Sequence, residues 1–304
     1  MNPPSRLRRM TLRQREVLAS LGFVLPSILI IAAVSVFPIV ATFVLSFTET
    51  KIAELVPRDF VGLSNYAGYL SNATFWDTIG RTSYFTFVSV GVELLLGLAI
   101  AVLIQSHPPG WRFLRLSLII PWAVPTIVNG ALWRWIYNAD YGALNALLVQ
   151  SGLVERYIPW LTRPFLSLNL VILADIWHSV PFVALILQAA LATIPDELEE
   201  AAAVDGATAW QRFLHVRLPL LRAAILVVLV IRTVEAFRVF DIVYVITQGG
   251  PAFGTVTISY LTYLETFSYG NLGKGSSLSF LISIFTLIMA LFYFRIFYRS
   301  EPRS

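Results

Sequence analysis

Four ionisable residues, Arg232, Glu235, Arg238 and Asp241, recur at three-residue intervals in a stretch that is otherwise mostly apolar. Opposite charges three residues apart on a helix are neighbours and can pair. Such a ladder can neutralise itself against the inside of a helical bundle. It can equally line a hydrated cavity and hydrogen-bond a polar solute. On a regular helix each three-residue step turns the side chain by about 60°. Arg232 and Asp241 are therefore expected on opposite faces, with Glu235 and Arg238 as the pair facing a cavity. Trp177, His178, Ser179 and Phe182 interrupt a second apolar segment with stackable rings and small hydrogen-bonding groups. Asn129 and Asp175 read as helix–helix contacts of the kind polar groups make in membranes.

Other chemistry is excluded. The chain has no cysteine, which removes thiolate metal sites, disulfides and thiol nucleophiles. His107, His178 and His215 lack metal-ligand spacing, and no Gly-x-x-x-x-Gly-Lys-Ser/Thr loop is present to cradle a nucleotide. No serine sits in a nucleophile context. The reading is a non-catalytic chain.

The elements that must hold these residues are membrane spans. Charged residues make up 13% of the 304 and apolar ones 57%, against roughly 25% charged in soluble domains. Runs of about 20 apolar residues, the length that crosses roughly 30 Å of hydrocarbon, occur at 20–47, 79–104, 113–136, 168–192, 221–246 and 278–297. The expected fold is an all-α membrane protein of six transmembrane helices. The first run is too long for a secretory signal and has no small-residue cleavage site after it, so it is read as retained. Arginines collect in the N-terminal segment, near Arg112 and Arg115, in the loop with Arg212, Arg217 and Arg222, and in the tail. That side is expected to be cytoplasmic. The organisation is then a cytoplasmic segment at 1–19, a six-helix membrane domain at 20–298 and a cytoplasmic tail at 299–304, placing both termini and the loop 193–220 inside. The outer loops carry aromatics such as Tyr66, Trp76, Tyr141 and Trp160, suited either to the headgroup level or to a docking platform.

The loop 193–220 contains Pro195, the carboxylates Asp196, Glu197, Glu199 and Glu200, the small run Ala201–Ala203, then Asp205 and Gly206. Proline fits a first helical turn, acidic groups favour the positive end of the helix dipole, and glycine permits a left-handed exit. The segment reads as a short helix across the membrane face, suited to a groove on a partner; an ordinary amphipathic surface helix has the same composition.

Glu200-Ala201-Ala202, Gly206 and Val216-Arg217-Leu218-Pro219 resemble the Glu-Ala-Ala…Gly…Ile-x-Leu-Pro signature of permease subunits of binding-protein-dependent ABC importers, with Val216 in place of isoleucine. The surrounding Ile194-Pro195-x-Glu197-Leu198 and Asp205-Gly206-Ala207 are similar to the carbohydrate branch, the maltose and glycerol-3-phosphate permeases. Val61-Gly62-Leu63-Ser64-Asn65-Tyr66, Trp133-Arg134-Trp135, Tyr141-Gly142-x-Leu144-Asn145 and Thr247-x-Gly249-Gly250-Pro251 extend the resemblance along most of the chain.

The resemblance implies the type I ABC importer permease fold. It implies that Glu200, Ala201, Ala202, Asp205 and Gly206 form a coupling helix that docks on an ATPase. By position it implies that Trp177, His178, Ser179, Phe182, Glu235, Arg238, Val239 and Asp241 line the path of a sugar. The implied partners are a second permease, two ATP-binding subunits that hold ATP and Mg²⁺, an extracytoplasmic sugar-binding protein and membrane lipid, with no nucleic acid and no cofactor in this chain. The rival reading is an ion-coupled secondary transporter using the charges of the fifth span as a relay. Such folds usually show internal repeats, and no convincing repeat relates the two halves.

Overall fold

The computed structural model describes residues 12–298 apart from 54–58 and 107–108. The expected N-terminal segment lies outside them up to residue 11, as does the tail 299–304. The described chain is helical bundle and loops, with one isolated antiparallel bridge between Thr48 and Phe60.

Helix α1 (Leu12–Ile31) starts within the segment read as preceding the first span. It runs through a π-helical turn at Ala32–Val36 into α2 (Phe37–Leu45). A short α3 (Ser64–Leu70) leads into α4 (Ala73–Gln105). Asn72 caps α4 by accepting from the Thr74 N–H at 2.8 Å, so the second span begins earlier than its apolar run. At 33 residues, α4 is about 50 Å long. The third span is two helices, α5 (Trp111–Ala123) and α6 (Thr126–Ile136), bent by 96°. Pro125 between them is extended, with ψ 142°, and proline together with its restricted predecessor Val124 explains the break.

After α7 (Ala143–Gln150), α8 (Pro164–Leu191) forms the fourth span. Beyond it lie α9 (Asp196–Val204), α10 (Ala209–Arg212), a π-helical turn at Phe213–Arg217 and α11 (Leu218–Leu220). The chain then turns by 65° into the fifth span, α12 (Arg222–Phe237) and α13 (Asp241–Ile246). α14 (Ile258–Tyr263) and α15 (Leu272–Tyr298) complete it. Among the described residues four helices are long and apolar enough to cross a membrane, and each bent pair counted as one span brings the number to six.

The centre is α4 against α8. Gly97 makes that approach possible: a Cβ there would lie 2.5 Å from Val183 Cγ1. Phe85, Val171, Ala174 and Val243 are fully buried in a neighbouring cluster that joins α4, α8 and α13. Gly130 serves α6 and α13 in the same way, since a Cβ there would meet the Val245 side chain at 2.9 Å. Arg134 Nη1 donates to the Val245 carbonyl at 3.2 Å and pins the two helices.

The end of the bundle opposite α9 is held by buried asparagines. Asn145 is fully buried. Its Oδ1 accepts from the Ile158 N–H at 3.0 Å and from Trp160 Nε1 at 2.9 Å, while Nδ2 donates to the Asn138 and Ile158 carbonyls. One side chain thus closes the 138–160 loop. Asn65 does the same for the first loop, donating to the Ser46 and Thr48 carbonyls at 3.0 and 2.9 Å.

Candidate functional site

The fifth span does not stay helical through its ladder of charges. Regular structure stops at Phe237, and Phe240 (φ −134°, ψ −60°) is out of register before α13 begins at Asp241. Thr257 Oγ1 donates to the freed Val239 carbonyl at 2.9 Å, as irregular backbone at membrane depth requires. This break overturns the expectation that Arg232 and Asp241 face opposite ways. Both line one cavity of about 470 Å³, together with Glu235 and Arg238.

The opposite wall of that cavity comes from α8, which contributes His178, Ser179 and Phe182, and from the α5–α6 bend, which contributes Trp122 and Asn129. Val239 is also among the lining residues. Trp177 does not line it: its ring meets Trp133 edge-on at 6.0 Å on another face of α8. His178 Nδ1 donates to the Pro121 carbonyl at 2.9 Å, tying α8 to α5. The Trp122 and Phe182 rings stack at 5.9 Å on the wall. Asp241 accepts from the Thr126 hydroxyl at 2.8 Å across the two bent spans.

Arg232 is the electrostatic centre of the site. Its main partner is Glu93 of α4, reached through Nε at 2.8 Å and Nη2 at 3.0 Å. The Glu93 side chain has no solvent exposure, and that of Arg232 has 8%. Arg232 also donates to Glu235 at 2.6 Å and to Asp175 at 3.4 Å. The ladder is therefore only partly self-neutralising, and its strongest link crosses from α12 to α4. Sequence reasoning missed Glu93. The signal was there: it is the sole carboxylate between Asp77 and the end of α4, and an intramembrane carboxylate presupposes a partner. Asn129 and Asp175, read as packing groups, also line the cavity.

At the other end of the α8–α12 connection, α9 carries Asp196, Glu197 and Glu199 in its first turn and buries none of its residues. Its exit is a hydrogen-bonded C-cap. The Ala207 N–H donates to the Ala202 carbonyl at 2.9 Å and the Gly206 N–H to the Ala203 carbonyl at 3.0 Å, with Gly206 at φ 82°. This is the Schellman arrangement that favours glycine. Asp205 is its exposed C-cap residue, Glu200 and Ala201 are exposed, and Ala202 is half-buried. Glu199 pairs with Arg217. Hydrogen bonding from Arg217 holds the Glu199 carboxyl below the ordinary glutamate range, and Glu199 in turn raises Arg217. Leu198, Val204 and Trp210 add large exposed apolar side chains to the same face of the bundle.

A bundle of long apolar helices with a charged, bent-walled cavity inside and an uncovered acidic helix at one end defines a multi-pass membrane transport component. The chain matches the family described as binding-protein-dependent transport system inner membrane component over residues 93–304, and it belongs to that family. It is 37% identical over 287 residues to the trehalose/maltose transport system permease protein MalF of Thermococcus litoralis, covering 94% of this chain and 95% of that one. It is 34% identical over 272 residues to the sulfoquinovosyl glycerol transport system permease protein SmoG of Agrobacterium fabrum, covering 89% and 87%. A bacterial ABC transporter involved in the import of the acidic polysaccharide alginate has the same fold, with a TM-score of 0.82 at 20% identity over 95% of this chain and 97% of that one. The type I ABC importer permease fold follows, and the ion-coupled reading is left without support.

Proposed function

We propose that this chain is the carbohydrate-translocating permease subunit of an ATP-driven importer, with the cavity as part of the solute path and α9 as the coupling helix. The observation that carries the reading is the contrast along α9. Glu199 is tied back to the chain by Arg217, whereas the adjacent Glu200, Ala201 and Ala203 stand uncovered at the end of the bundle. A helix with its base anchored and its outer face bare suits a groove on another subunit. A relative named for trehalose and maltose supports a sugar as the cargo.

In this reading the chain pairs with a second permease, and two ATP-binding subunits sit beneath α9 and hold ATP and Mg²⁺. A sugar-binding protein docks at the opposite end, and both termini are cytoplasmic. The test is ATP-dependent sugar uptake by the complete assembly in proteoliposomes, with wild-type chain and with Glu200→Lys. The variant is expected to reach the membrane and assemble its spans while uptake falls away from ATP hydrolysis. Undiminished uptake by Glu200→Lys would refute the docking role.

A further inference from the structure

We infer that the cavity selects an uncharged, hydroxyl-rich solute and turns away anionic ones; this rests on the reading of the cavity as the solute path. Three carboxylates, Asp175, Glu235 and Asp241, line the cavity with two guanidiniums, Arg232 and Arg238. Arg232 is spent, because its three nitrogens are already engaged by Glu93, Glu235 and Asp175. Arg238 is exposed, and among the described residues no carboxylate pairs with it. It stands three residues from Glu235 and three from Asp241. An anionic group entering the cavity therefore meets one available cation and an excess of negative charge.

What the cavity offers instead is neutral. Asn129 and Ser179 both line it, and Asn129 Oδ1 and Ser179 Oγ are buried without any hydrogen-bond partner. Unsatisfied groups of this kind are unfavourable in a folded chain, so hydrogen-bonding capacity stands beside the cavity that nothing in the chain uses. Sugar hydroxyls, which donate and accept, can take up both. The stacked Trp122 and Phe182 rings on the same wall give a flat apolar surface for the C–H face of a pyranose. The sequence alone, with two arginines in this span, left an anionic head group open. The cavity closes that option.

The test uses the complete transporter in proteoliposomes, including its binding protein, and compares uptake of maltose and trehalose with uptake of their uronic acid forms. The ratio of neutral to acid uptake is taken for each permease variant with the same binding protein, so that protein's own preference cancels between variants. Wild type is expected to favour the neutral forms. Glu235→Gln combined with Asp241→Asn is expected to lower the ratio about tenfold, equivalent to about 1.4 kcal/mol. Arg238→Gln, which removes the available cation, is expected to raise it. The opposite signs separate a charge effect from a folding defect. A wild type that carries acid and neutral forms equally well, or ratios unmoved by all these changes, would overturn the inference. Absence of ATP-driven uptake of either form of either sugar would overturn the sugar reading beneath it.

Discussion

Replacing Glu93 by glutamine removes one charge and almost no volume from the most enclosed point of the bundle. Arg232 then keeps Glu235 at 2.6 Å and Asp175 at 3.4 Å but loses the bidentate partner at 2.8 and 3.0 Å. With charge centres about 4 Å apart and an effective dielectric of about 20, the lost attraction is on the order of 4 kcal/mol. Part is returned, because the carboxylate no longer has to be held out of water and no longer repels Asp175. A net loss of about 3 kcal/mol remains, at the lower end of the range for breaking one side of a buried pair. That is roughly a hundredfold in the unfolding equilibrium. The assay is unfolding of the purified chain in mixed detergent micelles, followed by tryptophan fluorescence, for Glu93→Gln, Arg232→Gln and the double variant. The two single losses should sum to more than the double loss by about 2 kcal/mol or more, as contacting residues require. A Glu93→Gln protein within about 0.5 kcal/mol of wild type, or strictly additive losses, would refute the assignment of this pair as the lock between α12 and α4.

Asn145→Ala orphans the Ile158 N–H and Trp160 Nε1 and is expected to destabilise the chain by about 1–3 kcal/mol, seen as a lower thermal midpoint. Gly206→Ala meets no atom within 4 Å, so its effect is confined to the left-handed backbone, about 1–2 kcal/mol. It should lower uptake driven by ATP while circular dichroism of the spans is unchanged. The Glu199–Arg217 pair supplies a pH dependence of known sign. The folded-state Glu199 carboxyl is depressed, so its contribution is present above the unfolded value of about 4.3 and is lost as pH falls through the folded value. Both side chains are about a quarter exposed, so the loss is expected to be under about 1 kcal/mol. Glu199→Gln should flatten that part of an acid-unfolding profile.

The length of the apolar runs made the spans legible, but the 96° α5–α6 bend at Pro125 was not read from them. The α12–α13 break was not legible. Phe237-Arg238-Val239-Phe240-Asp241 contains neither glycine nor proline. The helix ends there because tertiary structure supplies what local sequence does not: Thr257 takes the Val239 carbonyl, and the Phe240 ring packs with Tyr244, Tyr260 and Tyr263 at 5.2–6.1 Å. Side-chain rotation counted along an assumed unbroken helix therefore put Asp241 on the wrong face. Glu93 escaped for the converse reason, since a single carboxylate in a long apolar run has no spacing to read, and its partner lies 139 residues away. The glycine and asparagine of the outer-loop motifs turned out to be structural: Asn145 ties its loop, and a Cβ on Gly142 would fall 2.3 Å from the Asn138 carbonyl oxygen.

The same break bears on how the two ends of the proposed importer communicate. The Glu199–Arg217 pair fastens α9 to the segment that turns by 65° into α12. From there α12 runs 16 residues without interruption, about 24 Å, and ends at the cavity. In the proposed importer a displacement imposed on α9 would have to pass the 65° turn and then travel along α12 to Arg238, with Arg232 pinned to α4 and α8 about one and a half turns before the helix ends. The irregular residues 238–240 are where such an element can rotate against α13, and hinges need no small residues when they sit at element ends. α13 is held by Arg134 and by the close approach at Gly130. Any relative motion of α12 and α13 would change the distance of Glu235 from Asp241 across the cavity. Position in space, and not alternation along a helix, makes those two carboxylates a pair.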